Sequence, residues 1–298
     1  MTTSIFHLNC PDDYSLKTLC LTHGWRQLRP FEWEDGAQVL HYVLHTGARA
    51  VDLRIARTGD ALEVKVSGTG KITAGERAVI EGALVTMLAL ARNPSAIRGL
   101  AEKTSAAHES LVESGVGRLL IAPTAWENAA KTLLTTNCSW ALTRKMSEKI
   151  CSESFTDPAP SGRCPFPSPA EVNRYSAEEI KSLAPVGYRG AYLKALAHYF
   201  VATPGFEALL SGGTLRQAEA RERISVLKGF GEYARIHLMT LLGFYGEIPV
   251  DSVVRGYMKS VHGVTDVPSF LDEQYGDWGA YRWWKFKMES MLLGKNFP

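Results

Sequence analysis

The run Ile224-Ser-Val-Leu-Lys-Gly-Phe-Gly-Glu-Tyr-Ala-Arg-Ile-His-Leu238 limits the possible folds of this chain more than any other stretch. A helix ends near Leu227, two glycines (Gly229 and Gly231) flank one apolar residue, and a second helix begins at once. In that second helix Ala234, Leu238, Leu241 and Leu242 recur on one apolar face. Gly229 and Gly231 permit a tight turn and leave the backbone bare. Bare amides at a helix N terminus form a phosphate site, and the opposite rim of carbonyls can hold a monovalent cation. The same pattern also serves as an ordinary glycine-capped turn between helices. The turn fixes the local fold and leaves its function open.

Downstream lies Gly243-Phe-Tyr-Gly-Glu-Ile-Pro-Val-Asp251-Ser-Val-Val-Arg255. Pro249 sets the approach of the chain, and Asp251 stands where a helix should begin, at or near an N-cap. A carboxylate there is either a plain cap or a functional group held at a helix N terminus, which favours its charged form.

Elsewhere the pattern is strands first and helices after. His41–Thr46, Ala50–Arg57 and Leu62–Ser67 are short, β-branched and partly alternating, separated by Gly and Asp, as in a meander. A helix is expected over 74–91, broken by Asn93-Pro-Ser. Thr124…Glu127, Ser176…Glu179 and Thr214…Gln217 each fit a capping box, and the Pro/Ser/Gly-rich loop 156–169 separates two helical groups. The expected fold is α+β: a small N-terminal antiparallel sheet domain with a helix over residues 1–95, and a larger all-helical domain over 96–298.

Composition excludes more than it selects. With 45% hydrophobic and 21% charged residues the chain can bury a sizeable core, and a net charge of +2 permits a nucleic-acid partner without requiring one. Five scattered cysteines lack zinc-site spacing and do not cluster as iron–sulfur ligands, so free thiols in a reducing compartment are expected. No signal peptide or long apolar span is evident, and no membrane association is expected.

Leu227-Lys-Gly-Phe-Gly followed by Ile248-Pro-Val-Asp251 resembles the helix-hairpin-helix, Gly/Pro-rich loop and aspartate signature of the base-excision DNA glycosylases (HhH-GPD superfamily). Thr136–Arg144 is similar to the Asn-rich helix start of the 8-oxoguanine glycosylase branch, and Phe166–Glu171 and Gly187–Tyr192 follow that branch in order. Tyr275–Trp284 is similar to the last helix of the alkyladenine glycosylases. The resemblance covers most of residues 120–298 and implies roles. Amides near Gly229, Gly231 and Tyr233, with Lys228 beside them, would contact a DNA phosphate. Carbonyls of Ser225, Leu227 and Phe230 would hold a structural Na+ or K+, and no other cofactor is required. Asn137 would fill the gap left by a flipped base, Tyr188 would wedge near its orphaned partner, and Arg189 would contact a neighbouring phosphate or base. Tyr188 also fits a core stripe with Ala191, Tyr192 and Ala195, and Asn137 an ordinary cap.

Two departures from the family shape the expected activity. Strand-cleaving members place a Schiff-base lysine two residues after the second hairpin glycine; here that position is Tyr233, and a phenol cannot form an imine. Where the 8-oxoguanine branch carries an arginine that reads the opposite cytosine, this chain has Leu142. The implied activity is a monofunctional DNA N-glycosylase. Asp251 would stabilise an oxocarbenium-like sugar and activate water. Tyr233, His237, Trp283 and Trp284 would line the base pocket, with His237 titrating near neutrality. Aromatic walls favour an alkylated purine; an 8-oxoguanine-type enzyme or a non-catalytic lesion-binding protein are the alternatives. The expected partner is double-stranded DNA containing a damaged base, met by a monomer on the bacterial nucleoid or in a eukaryotic nucleus. The basic face would include Arg144, Lys145, Lys149 and Lys194.

Overall fold

The computed structural model describes residues 1–294. Its first part is a five-stranded antiparallel sheet built from β1 (Thr2–Asn9), β2 (Glu32–Glu34), β3 (Val39–His45), β4 (Ala50–Thr58) and β5 (Ala61–Gly68), in the order β1-β5-β4-β3-β2. Helix α1 (Leu16–Thr22) and a 3-10 turn over Gly24–Gln27 fill the connection between β1 and β2. The three expected strands are present, and β1 and β2 add an edge on each side. Alternation decides which face is buried. Tyr42 pairs with Leu53, Leu53 with Val66 and Ile55 with Val64, and all five side chains are buried on one face.

Helices follow to the end of the described chain. The first group is α2 (Ala74–Met87), α3 (Ser95–Thr104), α4 (Ala106–Glu113), α5 (Ala125–Thr135) and α6 (Trp140–Ile150). Next come α7 (Pro169–Asn173), α8 (Ala177–Leu183), α9 (Arg189–Ala202) and α10 (Phe206–Ser211). The last group is α11 (Gln217–Ser225), α12 (Glu232–Leu241), α13 (Ser252–His262), α14 (Val267–Tyr275) and α15 (Arg282–Leu292). Helix α2 stops at Met87, short of the expected end at 91, where Ala89 takes a positive φ of 51°. One continuous apolar core runs from the sheet through the helices. Among the described residues no helix is long and apolar enough to cross a membrane.

The capping boxes came out unevenly. Ser176 and Glu179 form the full reciprocal box at the start of α8. At α5, Thr124 caps Glu127 N–H at 3.1 Å, but the Glu127 carboxylate turns inward instead. It accepts from the Tyr42 hydroxyl at 2.6 Å and pairs with the buried Lys131 ammonium at 2.6 Å. That ammonium also lies 4.6 Å from the Phe31 ring centroid. A buried charge pair within α5, tied to the sheet by the Tyr42 hydroxyl, outweighs one cap bond. The box expected from Thr214 and Gln217 is absent because α11 starts later; there the Glu219 carboxylate accepts from the Arg216 backbone N–H at 3.0 Å and from its guanidinium at 2.7 Å.

Candidate active site

Helices α11 and α12 are joined by the glycine turn, and its backbone explains the residue types. Gly229 has φ +89°; a Cβ there would sit 2.8 Å from Leu133 Cδ1 and 2.9 Å from Tyr192 Cγ. This glycine is required twice over, by its left-handed backbone and by its close approach to α5 and α9. Gly231 has φ −68° with open space around it. It caps α12 and leaves that helix's first amides bare.

At the other wall, Asp251 is the N-cap of α13: its Oδ1 accepts from Val254 N–H at 2.8 Å. Between hairpin and cap lies a cleft of about 830 Å³. Asp251, Gly229, Gly231, Tyr233, Asn137 and Tyr188 all line it, so residues spread over more than a hundred positions converge on one site. Leu227 and Phe230 line the same cleft. Asn137 adopts a positive φ of 46° and Tyr188 is 49% exposed, and the two stand together at the rim, with Asn137 Nδ2 donating to the Tyr188 hydroxyl at 3.5 Å.

Arg189 is not where a phosphate contact requires it. It is 4% exposed, and its guanidinium donates to the Thr136 carbonyl through Nη2 and, at 3.1 Å, through Nε. It also reaches the Asn137 carbonyl at 3.2 Å, and its Cζ lies 4.7 Å from the Tyr188 ring centroid. A planar fork of donors facing several carbonyls holds the loop that carries Asn137. Of the other expected basic groups, Lys194 is engaged by the Asn173 backbone and side chain. Arg144, Lys145, Lys149 and Lys228 are exposed. Ser225 is exposed at the end of α11, and its hydroxyl donates to Glu222.

Behind the cleft is an inner cavity of about 50 Å³. Asp251, Tyr233 and Val253 line both spaces and so belong to the wall between them. Tyr233, His237 and Trp283 contribute to the inner wall. Trp284 does not: it is fully buried in the core, its ring 4.8 Å from that of Trp283 and 5.4 Å from that of Tyr245. Adjacent residues on a helix point about 100° apart, so Trp283 and Trp284 cannot share one wall. The Tyr233 hydroxyl and His237 Nδ1 are hydrogen-bonded at 3.1 Å. Burial pushes the Tyr233 phenol up to about 12, with the Asp251 charge adding to the rise, and pushes His237 down to about 4. His237 is therefore neutral at pH 7, which corrects the expectation of a group titrating near neutrality.

Three pocket residues had not been singled out in the sequence. Lys287 lies one helical turn beyond Trp283 on α15, and that i, i+4 spacing was a usable signal. Arg255, a turn into α13, lines the cleft. His23, from the turn before the sheet's second strand, lines the inner cavity with its ring 5.7 Å from that of His237. Nothing in its local sequence indicated this.

No family model matches the chain, and no curated protein matches it. Solved structures do. MBOgg1 in complex with a low-affinity DNA ligand is 18% identical with a TM-score of 0.71, over 99% of this chain and 100% of that one. The apo form of the 8-oxoguanine glycosylase/lyase of Clostridium acetobutylicum is 14% identical with a TM-score of 0.71, over 95% and 94%. The 3-methyladenine DNA glycosylase from Archaeoglobus fulgidus is 16% identical with a TM-score of 0.72, over 97% and 99%. The fold of these glycosylases, small sheet and helical part together, is the fold of this chain.

Proposed function

We propose that the protein is a DNA N-glycosylase that flips out a damaged base and removes it by hydrolysis, leaving the strand uncut. The observation that carries this reading is the position of Asp251, fixed on a helix N terminus and lining both an open cleft and an inner cavity. In the proposed complex the cleft takes the DNA backbone and the inner cavity takes the base, so that Asp251 faces the sugar.

The bare amides at Gly231 and the start of α12 would bind a phosphate next to the lesion, with Lys228 and Arg255 adding charge. Carbonyl oxygens of Ser225, Leu227 and Phe230 would hold a Na+ or K+ on the opposite rim. Their chemistry fits such an ion: they are neutral oxygens after a helix C terminus, and the Leu227 carbonyl carries one long hydrogen bond, from Phe230 N–H at 3.3 Å, leaving a lone pair. Asn137 and Tyr188 at the rim would occupy the space vacated in the duplex, recovering part of the few kcal/mol that extrusion costs.

As the C1′–N bond stretches, positive charge grows on the deoxyribose. The Asp251 carboxylate would stabilise that charge and accept a proton from the attacking water. Tyr233 stands where an amine would have to stand for strand cleavage, and a buried phenol offers no route to an imine. The rings of Tyr233 and Trp283 suit stacking on an electron-poor alkylated purine. The protein would act as a monomer on duplex DNA. The test is base release, followed by mass spectrometry, from duplexes that each carry one lesion. Release without scission, lost in Asp251→Asn, is expected; equal release by both proteins would remove Asp251 from the mechanism.

A further inference from the structure

Asp251 and the bare amides of the hairpin belong to different elements, and a chain of ion pairs ties those elements together. Asp251 follows a loop, residues 243–250, that contains no helix or strand. The first half of the loop is anchored through its backbone. Gly243 and Phe244 N–H donate to carbonyls of the last turn of α12 at 3.0 Å each, and Trp283 N–H donates to the Tyr245 carbonyl at 3.0 Å. Over 246–250 no backbone–backbone hydrogen bond is made among the described residues. There the Glu247 side chain holds the loop, four residues before Asp251. Both of its carboxylate oxygens accept from Arg221 Nη1, at 2.6 and 2.5 Å, and Gln217 Nε2 lies 3.5 Å from one of them.

Arg221 holds a second carboxylate at the same time. From α11 its Nη2 donates to Glu232 Oε1 at 3.0 Å, and Glu232 is the first residue of α12, directly after Gly231. The other Glu232 oxygen accepts from Arg235. Charges thus alternate through Arg235, Glu232, Arg221 and Glu247, across α11, α12 and the loop. Exposed ion pairs contribute little one at a time, but a planar guanidinium shared by two carboxylates fixes a distance as well as a charge. Here that distance runs from the hairpin, where Gly231 and Glu232 line the cleft, to the loop that ends at Asp251. Packing supports the same arrangement. A Cβ on Gly246 would lie 3.3 Å from Gln217 Oε1 and 3.6 Å from Ala280 Cα, so the loop is pressed between α11 and the turn before α15. Arg221 is not among the residues that line the cleft.

We propose that Arg221 is a positioning residue, which sets Asp251 relative to the phosphate-binding amides by holding Glu247 and Glu232 together. This rests on the glycosylase reading above. A phosphate seated on the hairpin fixes where the neighbouring sugar lies, and the carboxylate must then stay within about 0.5 Å of its productive place. A displacement of about 1 Å costs on the order of a hundredfold in rate. A loop without backbone hydrogen bonds over 246–250 does not supply that precision, whereas an ion pair from α11 to Glu247 does. The same guanidinium serves the hairpin electrostatically. Glu232 lines the cleft beside the bare amides, and Arg221 and Arg235 together offset a charge that would otherwise repel a phosphate.

The experiment is a double-mutant cycle on single-turnover base release at saturating protein, with the wild type, Arg221→Met, Glu247→Ala and the double variant, and with Glu247→Gln as the conservative change. The duplexes would carry uracil, hypoxanthine, 8-oxoguanine, 3-methyladenine or 1,N6-ethenoadenine, and the lesion released fastest by the wild type would be used throughout. Affinity for a duplex with a tetrahydrofuran abasic analogue and melting temperature would be recorded for each variant. Each single change should slow release about tenfold or more, the double variant should be no slower than the singles, and Glu247→Gln, which keeps one acceptor oxygen, should recover part of the rate. Melting temperatures should shift by at most about 3 °C. Glu247→Ala removes a negative charge, so its affinity for the abasic duplex should be equal or tighter while its release falls. That split separates positioning from binding and from general destabilisation. A wild-type rate in Glu247→Ala, losses that multiply in the double variant, or a rate loss matched by an equal loss of affinity would overturn the inference and leave the glycosylase reading intact. No release by the wild type from any duplex would overturn that reading first. Should Arg221→Met fail to fold, Glu247→Ala against Glu247→Gln decides the matter: equal rates overturn the inference, and a faster Glu247→Gln supports it.

Discussion

Arg189→Met separates a structural clamp from a DNA contact. The Arg189 guanidinium is buried and donates to the carbonyls of Thr136 and Asn137, with a longer contact to Val186 at 3.5 Å. Methionine keeps the stem and removes every donor, leaving those carbonyls without their charged partner. Breaking a buried charged network of this kind costs about 3–5 kcal/mol. At about 2 °C per kcal/mol for a chain of this size, the melting temperature should fall by roughly 6–10 °C. The loop would lose the restraint that holds Asn137 at its positive φ, so base release should drop about 10–100-fold through misplacement of the rim. The salt dependence of binding to undamaged duplex should keep its slope, because no phosphate contact is removed. Arg189→Lys should behave nearly as badly, since one ammonium cannot span separate carbonyls. An unchanged melting temperature with a salt slope lower by about 1 would refute the clamp and return Arg189 to the DNA surface.

Three further outcomes follow from the same geometry. Because burial lowers His237 from 6.5 to about 4, the unfolded chain binds the extra proton first. Stability is then complete above pH 6.5 and falls by about 3 kcal/mol as the pH drops toward 4, with His23 shifted in the same direction; urea melts at pH 7 and pH 5 check this, and equal midpoints would contradict it. Gly229→Ala should cost about 2–4 kcal/mol from backbone strain and overlap, while Gly231→Ala, with open space around it, should melt normally yet weaken duplex binding by crowding the bare amides, as a fluorescence-anisotropy titration would show. Borohydride should trap no covalent adduct between the wild type and lesion DNA; a trapped adduct would mean that another amine acts where Tyr233 cannot.

The local elements were legible because each carries its own signal. The glycines at 229 and 231, the proline before Asp251 and the alternation in β3 to β5 depend on backbone rules that act over a few residues. Asp251 at an N-cap could be read for the same reason. What could not be read depends on packing between distant segments. Glu127 had all the marks of a capping glutamate, yet Tyr42 and Lys131, one of them 85 positions away, draw it inward. Arg189 looked like a surface cation because nothing nearby in sequence shows that Thr136 and Asn137 lie over it. His23 sits in the sheet portion, and only the fold brings its ring against α12. The two neighbouring tryptophans were assigned together, but helix geometry allows just one of them to face the cavity.

The most direct test of the account is the comparison of wild type with Asp251→Asn on lesion duplexes, with base release and DNA binding measured on the same samples. The wild type is expected to release a free base from an uncut strand. Release should fall at least about a hundredfold in the variant, with lesion-duplex affinity equal or tighter. Release at the wild-type rate by Asp251→Asn would contradict it, as would a wild type that binds lesion DNA tightly and never frees a base.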